Sequence, residues 1–294
     1  MKIQTDCEVV VFASTSGHCT FDCDYCIVNP IAKRLPSVNY EDLRYLIDHF
    51  GLKTFFAFSG LGDFFVSYAR SQRLLEQLLA CDVEVALDTN GAVVQEFGEL
   101  GPSELEKIRY INLTMHFHQI RAKHYLRRWP ENARLYIERR YAEVHPDYIL
   151  SPPLSHEWEE AIDYYAENVF RHTGKRLLLV RDINRAFDDA VEERIERLFA
   201  AYRDVVAGTH QEDFAALFED RPRVLCPAGR RYFRLWNDGR LQGCPNLPQV
   251  LELFDCGNVK ERSLRIRATD FACSTPRYCD CHVIDGLGKM ATAS

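Results

Sequence analysis

The sequence has no long apolar run, no internal repeat and no excess of basic residues. A membrane-spanning helix needs about 20 consecutive apolar residues. The longest early apolar stretch, Val9–Ala13, follows Asp6 and Glu8, a pattern that also argues against a signal peptide. Lys and Arg number 36 against 43 Asp and Glu, so the net charge is −7. Proteins that bind nucleic acid usually have an excess of basic residues, which this sequence does not have. The sequence predicts a cytoplasmic protein that binds neither membranes nor nucleic acid.

Cysteine is the residue type in excess. A chain of 294 residues with 47% hydrophobic residues buries a core without disulfides. It nevertheless has 11 cysteines. Thiols stay reduced in the cytosol, where clustered cysteines are typical of metal or iron–sulfur sites.

The first two thirds of the chain alternate between short apolar strands and amphipathic helices. Strands are predicted at residues 9–14, 54–58, 83–87, 110–114, 148–150 and 177–180. Helices are predicted at residues 40–50, 71–79, 156–172 and 190–202, with a short helix from residue 103 and a charged helical region, 120–144, broken by Pro130. Six strand–helix pairs predict an α/β fold, a partial (β/α)6 barrel with polar site residues at the carboxyl ends of its strands.

The alternation stops near residue 205, so we predict domains at residues 1–205 and 206–294. The second domain has six cysteines and a predicted hairpin, in which Asn237-Asp238-Gly239 turns the chain between residues 233–236 and 240–242.

Three cysteines lie close together on the loop after the first predicted strand. Cys19, Cys23 and Cys26 have the spacing C-x3-C-x2-C. Three thiolates hold three irons of a [4Fe–4S] cluster and leave the fourth iron open to a small molecule. A zinc site is the alternative; it needs a fourth ligand such as His18 and has an unusual spacing.

This triplet, with Tyr25 directly before its third cysteine, resembles the signature of the radical S-adenosylmethionine (SAM) superfamily. The resemblance implies that SAM chelates the open iron and that one-electron reduction cleaves SAM to methionine and a 5′-deoxyadenosyl radical. That radical abstracts a hydrogen atom from the substrate.

A second motif follows the second predicted strand. Gly60-Leu61-Gly62-Asp63 resembles the Gly-Gly-Glu-type motif that holds the methionine amino group in this superfamily, although Asp replaces Glu and Leu separates the glycines. The resemblance implies SAM contacts from Gly60, Gly62 and Asp63. A plain turn after a strand is the alternative.

The next two strand ends also have polar residues. Asn90, within Asp88-Thr89-Asn90-Gly91, resembles the superfamily's Thr-Asn-Gly strand end. Thr114 and His116 end the fourth predicted strand, where the resemblance implies SAM or substrate contacts. Because alternate strand residues share a face, we expect Asn112, Thr114, His116 and His118 to point inward together. The alternative is that the histidines only form hydrogen bonds within the loop.

The C-terminal cysteines resemble the twitch/SPASM extension of the same superfamily. Cys226, Gly239 and Cys244 have the spacing C-x12-G-x4-C that opens it. The cysteines suffice for one auxiliary [4Fe–4S] cluster, with Cys226, Cys244, Cys279 and Cys281 as ligands and Cys273 as the substitute for either of the last two. A zinc site is the alternative.

Cys256 is left without a ligand role. It is either a small buried hydrophobic residue or a thiol that donates a hydrogen atom to a substrate radical. In the second case the carbon centre inverts when the thiol faces the side opposite the abstracting radical.

Size and layout resemble the small carbohydrate-acting members of the superfamily, such as neomycin-type aminoglycoside epimerases of antibiotic biosynthesis. With Cys256 as the catalytic donor, we predict an epimerase acting on an aminoglycoside or related sugar. A dehydrogenase of an aminocyclitol or sugar and a ribosomal-peptide maturase are the alternatives, and an iron–sulfur electron carrier is the non-enzymatic one. The implied electron donor is a flavodoxin or ferredoxin.

Overall fold

The computed structural model describes residues 3–14, 18–26, 38–59, 62–66, 68–94, 100–139, 142–182, 185–208, 224–243, 255–269, 271–273 and 284–285. The strands are β1 (Ile3–Gln4), β2 (Val9–Ala13), β3 (Thr54–Phe58), β4 (Val83–Thr89), β5 (Ile108–Thr114), β6 (Glu143–Leu150), β7 (Leu177–Arg181), β8 (Val206–Ala207), β9 (Val224–Cys226), β10 (Tyr232–Leu235), β11 (Arg240–Gln242), β12 (Asp255–Asn258), β13 (Ser263–Leu264), β14 (Phe271–Cys273) and β15 (Ile284–Asp285). The helices are α1 (Tyr40–Phe50), α2 (Tyr68–Leu79), α3 (Pro102–Leu105), α4 (Phe117–Ala122), α5 (Arg128–Arg139), α6 (Trp158–Tyr165), α7 (Arg171–Thr173) and α8 (Asp189–Ala201).

One sheet of eleven strands organises the molecule, in the order β13-β12-β11-β10-β2-β3-β4-β5-β6-β7-β8. Strands β2 to β8 are parallel neighbours in chain order. Strand β10 lies parallel to β2 on the other side, and β10 to β13 form an antiparallel meander. The predicted α/β fold with a parallel sheet is confirmed, and the C-terminal hairpin continues the same sheet.

Several predicted elements differ from those observed. Strand β6 begins at Glu143, inside the region predicted to be helical, and the two-residue strand β8 adds a seventh parallel strand. Pro130 does not break α5, because it lies in the first turn, where proline's missing N–H costs no helical hydrogen bond. The helix predicted at 156–172 is divided into a 3₁₀ helix (Pro152–Glu157), α6, a π-helical turn (Ala166–Phe170) and α7.

Helix α1 shows why the local predictions succeed. The Asn39 side chain accepts a hydrogen bond from the Asp42 N–H, and the Asp42 carboxylate accepts one from the Asn39 N–H. This reciprocal cap satisfies donors that the first helical turn leaves open. Gly51 ends the helix at φ 60, a left-handed conformation that glycine adopts without strain.

The two faces of the sheet differ in chemistry. Val9, Val11, Leu87 and Leu113 pack with the helices in the main hydrophobic cluster. Because alternate residues point to opposite faces, the other face, which we call the inner face, carries a different set of side chains. That set includes Phe12, Ala57, Asp88, Asn112, Thr114, Asp147 and Arg234. The inner face is the polar one.

An ion-pair network lies at the amino ends of β2 to β4. Lys53 Nζ is 2.6 Å from Asp6 Oδ1 and 3.0 Å from Glu84 Oε1. Thr5 Oγ1 also donates to Glu84, which is only 6% exposed. Lys53 therefore compensates a buried carboxylate.

Replacing Lys53 with Met is expected to lower the free energy of unfolding by about 2 kcal/mol, since it leaves Glu84 with Arg109, at 3.6 Å, as its one cationic partner among the described residues. Urea unfolding of the metal-free protein measures the change. Arg44→Met, which breaks the exposed pair with Asp48, is the control and is expected to have no measurable effect. Equal stability of the two variants would contradict a structural role for the network.

Candidate functional site

The three clustered cysteines lie on the loop of residues 18–26, beyond the carboxyl end of β2. Cys23 is buried, Cys19 is half-buried and Cys26 is exposed, and the Cys26 N–H donates to the Cys23 carbonyl at 3.0 Å. Burial raises the pKa of both Cys19 and Cys23, and the charges of the neighbouring thiols raise it further. The three thiols thus lie on one short loop and influence one another electrostatically.

Asn90, at the end of β4, holds this loop in place. Its Nδ2 donates to Cys19 Sγ at 3.3 Å and to Thr20 Oγ1 at 2.9 Å. The Phe21 N–H also donates to Cys19 Sγ, at 3.4 Å. Two N–H donors directed at one sulfur stabilise the thiolate form that binds metal.

Helix α4 supports the same loop from the other side. The Gln119 side chain accepts from the Asp22 N–H and donates to the Asp22 carbonyl, both at 3.0 Å, and Lys123 Nζ donates to the Thr20 carbonyl. The loop backbone is therefore fixed by α4 as well as by β4.

Asp63 is buried and its carboxylate is occupied by hydrogen bonds from the chain. Oδ2 accepts from the Asn90 N–H at 2.6 Å and from Thr89 Oγ1 at 3.0 Å, and Oδ1 accepts from the Phe65 N–H at 2.9 Å. Burial raises the pKa of Asp63, and these three bonds oppose the rise. The carboxylate joins the segment after β3 to the end of β4, so it positions Asn90.

Trp129 and Asn132 of α5 complete the support of Asn90. Trp129 Nε1 donates to the Asn90 carbonyl at 2.8 Å, and Asn132 Nδ2 donates to the Gly91 carbonyl at 2.8 Å. Gly91 has φ +71, and a Cβ there would lie 2.7 Å from Leu113 Cδ1. Glycine is required at this turn by both conformation and space.

Tyr25 joins the cysteine loop to the end of β5. Its hydroxyl is 2.5 Å from His116 Nδ1, the two rings stack at 5.7 Å, and the His118 ring is 5.2 Å away. Burial lowers the pKa of His116 to about 3, so the ring is neutral at physiological pH. A neutral His116 holds Tyr25 by a hydrogen bond without adding charge near the thiols.

The predicted polar set after β5 is only partly an extension of the strand. Asn112 and Thr114 lie on the inner face of β5. The residues at positions 113 and 115, which alternate with Asn112, Thr114 and His116, are buried on the other face. His118, however, belongs to α4, so strand alternation does not place it. Its contact with Tyr25 comes from the helix instead.

Two half-buried carboxyl groups on the inner face were not predicted as site residues. Asn112 Nδ2 donates to Asp88 Oδ1 at 2.9 Å, and Thr114 hydrogen-bonds Asp147. Burial raises the pKa of Asp147 to about 7 and that of Asp88 to about 6, and the Asp88 charge adds to the rise at Asp147. The alternation of the apolar Val144, Tyr148 and Leu150 with polar residues along 143–150 is the sequence signal that could have placed Asp147 on this face.

The structure describes only part of the other predicted sites. Gly60, Cys244, Cys279 and Cys281 lie outside the described residues, and Gly62 is exposed with φ 79. Strands β9 and β14 pair antiparallel, so the backbones of Cys226 and Cys273 lie on neighbouring strands, with Cys226 opposite Phe271 and Cys273 opposite Val224.

Cys256 lies on β12 and is 1% exposed. It belongs to the hydrophobic cluster that includes Leu241 and Val259, and a Cβ on Gly229 would lie 3.6 Å from its Sγ. Burial raises the pKa of this thiol to about 11, so it remains protonated. Leu241 shares a face with Leu235, the face opposite Arg234, so the cluster places Cys256 with the core rather than with the inner face.

A further group of potential ligands lies at the amino ends of the strands. Oxygen and sulfur atoms of Asp6, Cys7 and Glu84 lie within 4.8 Å of one another. Lys53 already pairs with both carboxylates and Arg109 pairs with Glu84, so the charge of this group is balanced by the chain itself.

Comparison with known proteins identifies the fold. No protein-family model matches the sequence, and no curated protein does. The structure of anSMEcpe with bound AdoMet and Cp18Cys peptide matches with TM-score 0.55 and 13% identity, covering 86% of this chain and 78% of that one. SuiB of Streptococcus suis bound to precursor peptide SuiA matches with TM-score 0.53 and 11% identity, covering 88% of this chain and 64% of that one. Both are radical SAM enzymes.

The chain has the radical SAM fold. At these identities the likeness concerns the fold alone, and this is the fold that the resemblance of the cysteine triplet implies. In that fold the cysteine loop, Asp63 and Asn90 all lie at the carboxyl ends of parallel strands. Among the described residues, no helix is both long and apolar enough to cross a membrane.

Proposed function

We propose that the protein is a radical SAM enzyme whose Cys19, Cys23 and Cys26 hold a [4Fe–4S] cluster that binds SAM. The observation that carries the proposal is the triplet itself, three cysteines with the spacing C-x3-C-x2-C on the loop after β2 of a fold shared with radical SAM enzymes. The donor set fits the group, because three sulfurs ligate three irons and two N–H groups point at Cys19 Sγ. When bound, the cluster and SAM supply a 5′-deoxyadenosyl radical for hydrogen abstraction.

The residues around the loop have positioning roles in this proposal. Asn90 fixes Cys19, and Asp63 fixes Asn90 through its backbone N–H. Tyr25 and His116 close the loop against the end of β5. Gly60 and Gly62 stay proposed SAM contacts by resemblance, and Thr114 is proposed to act on the substrate side, through Asp147.

We also propose an auxiliary [4Fe–4S] cluster in the C-terminal part of the chain. Cys226, Cys244, Cys279 and Cys281 are the proposed ligands, and Cys273 is the substitute. The pairing of β9 with β14 supports Cys273, because it brings the backbones of Cys226 and Cys273 onto adjacent strands. A flavodoxin or ferredoxin is the proposed electron donor.

The substrate is proposed to be a small polar molecule bound against the inner face, and the reaction to be epimerisation or dehydrogenation at a carbon of a sugar or aminocyclitol. The position of Cys256 in the hydrophobic cluster favours a packing role for this thiol over hydrogen donation. That position weakens the case for the epimerase and gives weight to the dehydrogenase, which needs no donor thiol.

Turnover in deuterated water separates these reactions. The anaerobically reconstituted protein is incubated with SAM, reductant and candidate aminoglycosides, and the products are analysed by mass spectrometry. We expect a product two mass units lighter without carbon-bound deuterium, the result of dehydrogenation. A product one unit heavier, with one deuterium on carbon, would instead mean an exchangeable donor and epimerisation, and Cys256→Ala would then show whether that donor is Cys256.

A further inference from the structure

The inner face holds two carboxyl groups that form no ion pair with a described side chain. Asp88 on β4 and Asp147 on β6 are separated by β5, about 10 Å between strand axes. Their described hydrogen-bond donors, Asn112 and Thr114, are both neutral. Among the described side chains, no Lys, Arg or His forms an ion pair with either carboxyl, although the Arg234 charge acts on Asp88 at longer range.

These carboxyls also act on each other. The charge of Asp88 raises the pKa of Asp147, so the two groups interact across β5. Two neighbouring carboxylates destabilise each other unless a cation or a proton lies between them. The pair on the inner face therefore suits a ligand that brings positive charge.

Unused hydrogen-bonding atoms lie nearby, on the neighbouring strands β2 and β10. Ser14 directly follows β2, is 1% exposed and has no hydrogen-bond partner at Oγ. Its place two residues after Phe12 directs it to the inner face. Arg234 is paired in register with Phe12, and its buried Nε also lacks a partner. A buried hydroxyl without a partner is costly and indicates a site completed by a ligand.

Small side chains lie on the inner face between Arg234 and Asp88. This part of the face is formed by Phe12, Ala57 and Ala86, which are in register across β2, β3 and β4. Each of the two alanines presents only a methyl group on this face. The Arg234 guanidinium lies 5.3 Å from the Trp236 ring, which helps to fix the position of the guanidinium.

We propose that Asp88 and Asp147 bind two amino groups of a diamino carbohydrate or cyclitol, while Ser14 and Arg234 donate hydrogen bonds to its hydroxyl oxygens. This inference rests on the proposed function, since it names the substrate class of the same enzyme. A rigid ring with two amino groups neutralises both carboxylates at once, and its hydroxyls use the donors on β2 and β10. A lysine side chain of a peptide brings one ammonium and no hydroxyls, so it satisfies only part of this surface.

Binding of small probes tests the proposal without requiring turnover. Calorimetric titration of the anaerobically purified protein is done with 2-deoxystreptamine, a diaminocyclitol, and with myo-inositol, which is neutral. We expect binding of the diamine and none of the inositol. Asp147→Asn and Asp88→Asn should each weaken diamine binding by about tenfold to a hundredfold, the loss expected for a charge-assisted hydrogen bond. Asp82→Asn, a surface change, should leave it unaltered.

Three outcomes would overturn the proposal. They are equal binding of the diamine and the inositol, diamine binding unchanged in both inner-face variants, or tighter binding of a lysine-containing peptide than of the diamine. L-Methionine is a further probe, and loss of its binding in Asp147→Asn would assign this surface to SAM instead of the substrate.

The proposed function has its own test, kept separate from this one. Wild-type protein that binds the diamine through Asp147 but never forms 5′-deoxyadenosine would refute the radical SAM activity and leave the binding site intact. Wild-type protein that cleaves SAM but ignores the diamine would refute the inference alone.

Discussion

Serine in place of Cys19, Cys23 or Cys26 is expected to reduce 5′-deoxyadenosine formation below detection in each single variant. Each change removes one of three thiolates that the proposed cluster needs, and an alcohol is a poor iron ligand in its place. The loss should be accompanied by lower iron content after anaerobic reconstitution. Product analysis by liquid chromatography and an iron assay measure the two effects.

Cys81→Ser is the matched control for this series. Cys81 is also half-buried, and its thiol contacts the Gln77 carbonyl, Tyr40 and Arg44, away from the cysteine loop. It should retain both iron and SAM cleavage. A full yield of 5′-deoxyadenosine from any of the three loop variants would refute the ligand role of that cysteine.

Alanine in place of Asp63 is expected to lower the free energy of unfolding of the metal-free protein by about 4 kcal/mol. The change leaves the Asn90 N–H, the Phe65 N–H and the Thr89 hydroxyl without their buried acceptor, and each bond to a charged group contributes roughly 1.5–3 kcal/mol, not fully additively. Urea unfolding followed by circular dichroism measures the loss. Because Asn90 then loses its fixed position, SAM cleavage should fall as well.

The stability measurement distinguishes two roles for Asp63. If this carboxylate mainly held the SAM amino group, as the Gly-Gly-Glu resemblance implies, the metal-free protein would unfold as the wild type does and only SAM affinity would change. Asp48→Ala, at an exposed position on α1, controls for the general effect of removing an acidic residue.

Local signals account for the parts of the fold that the sequence predicted well. Helix α1 has the predicted bounds because its cap and its glycine stop lie within the same few residues. Strand β3 also has its predicted bounds, since a short run of aromatic and β-branched residues is buried on both faces. These elements need little information from the rest of the chain.

Strand β6 was harder to predict because its pattern conflicts with its place in the sheet. Pro146 lies within a strand paired on both sides, a position that proline usually avoids, and charged residues precede it. The strand forms because Val144, Tyr148 and Leu150 are buried on its helix-facing side. Pairing with β5 and β7 therefore overrides the local preference.

The residues of the candidate site also differ in whether local sequence patterns could predict them. The cysteine triplet was recognisable because a ligand set within eight residues is a local pattern. The polar residues of the inner face were not, because Asp88, Asp147 and Ser14 are far apart in the sequence and come onto one face only through the register of the sheet. The motif identified Asp63 as a site residue, but only the structure shows the three hydrogen bonds that its carboxylate accepts from the chain.

The pairing of β10 with β2 has a consequence for how this protein folds as it is synthesised. Val10 is in register with Tyr232 and its N–H donates to the carbonyl of Arg231, residues that leave the ribosome long after β2 to β8 have emerged. Until then β2, the strand that leads into the cysteine loop, has one exposed edge, and an unpaired edge is a template for association with other chains. So high a contact order predicts slow completion of the sheet. Cluster insertion into the loop is therefore expected to be a post-translational event, favoured by slow synthesis or by a chaperone that covers this edge.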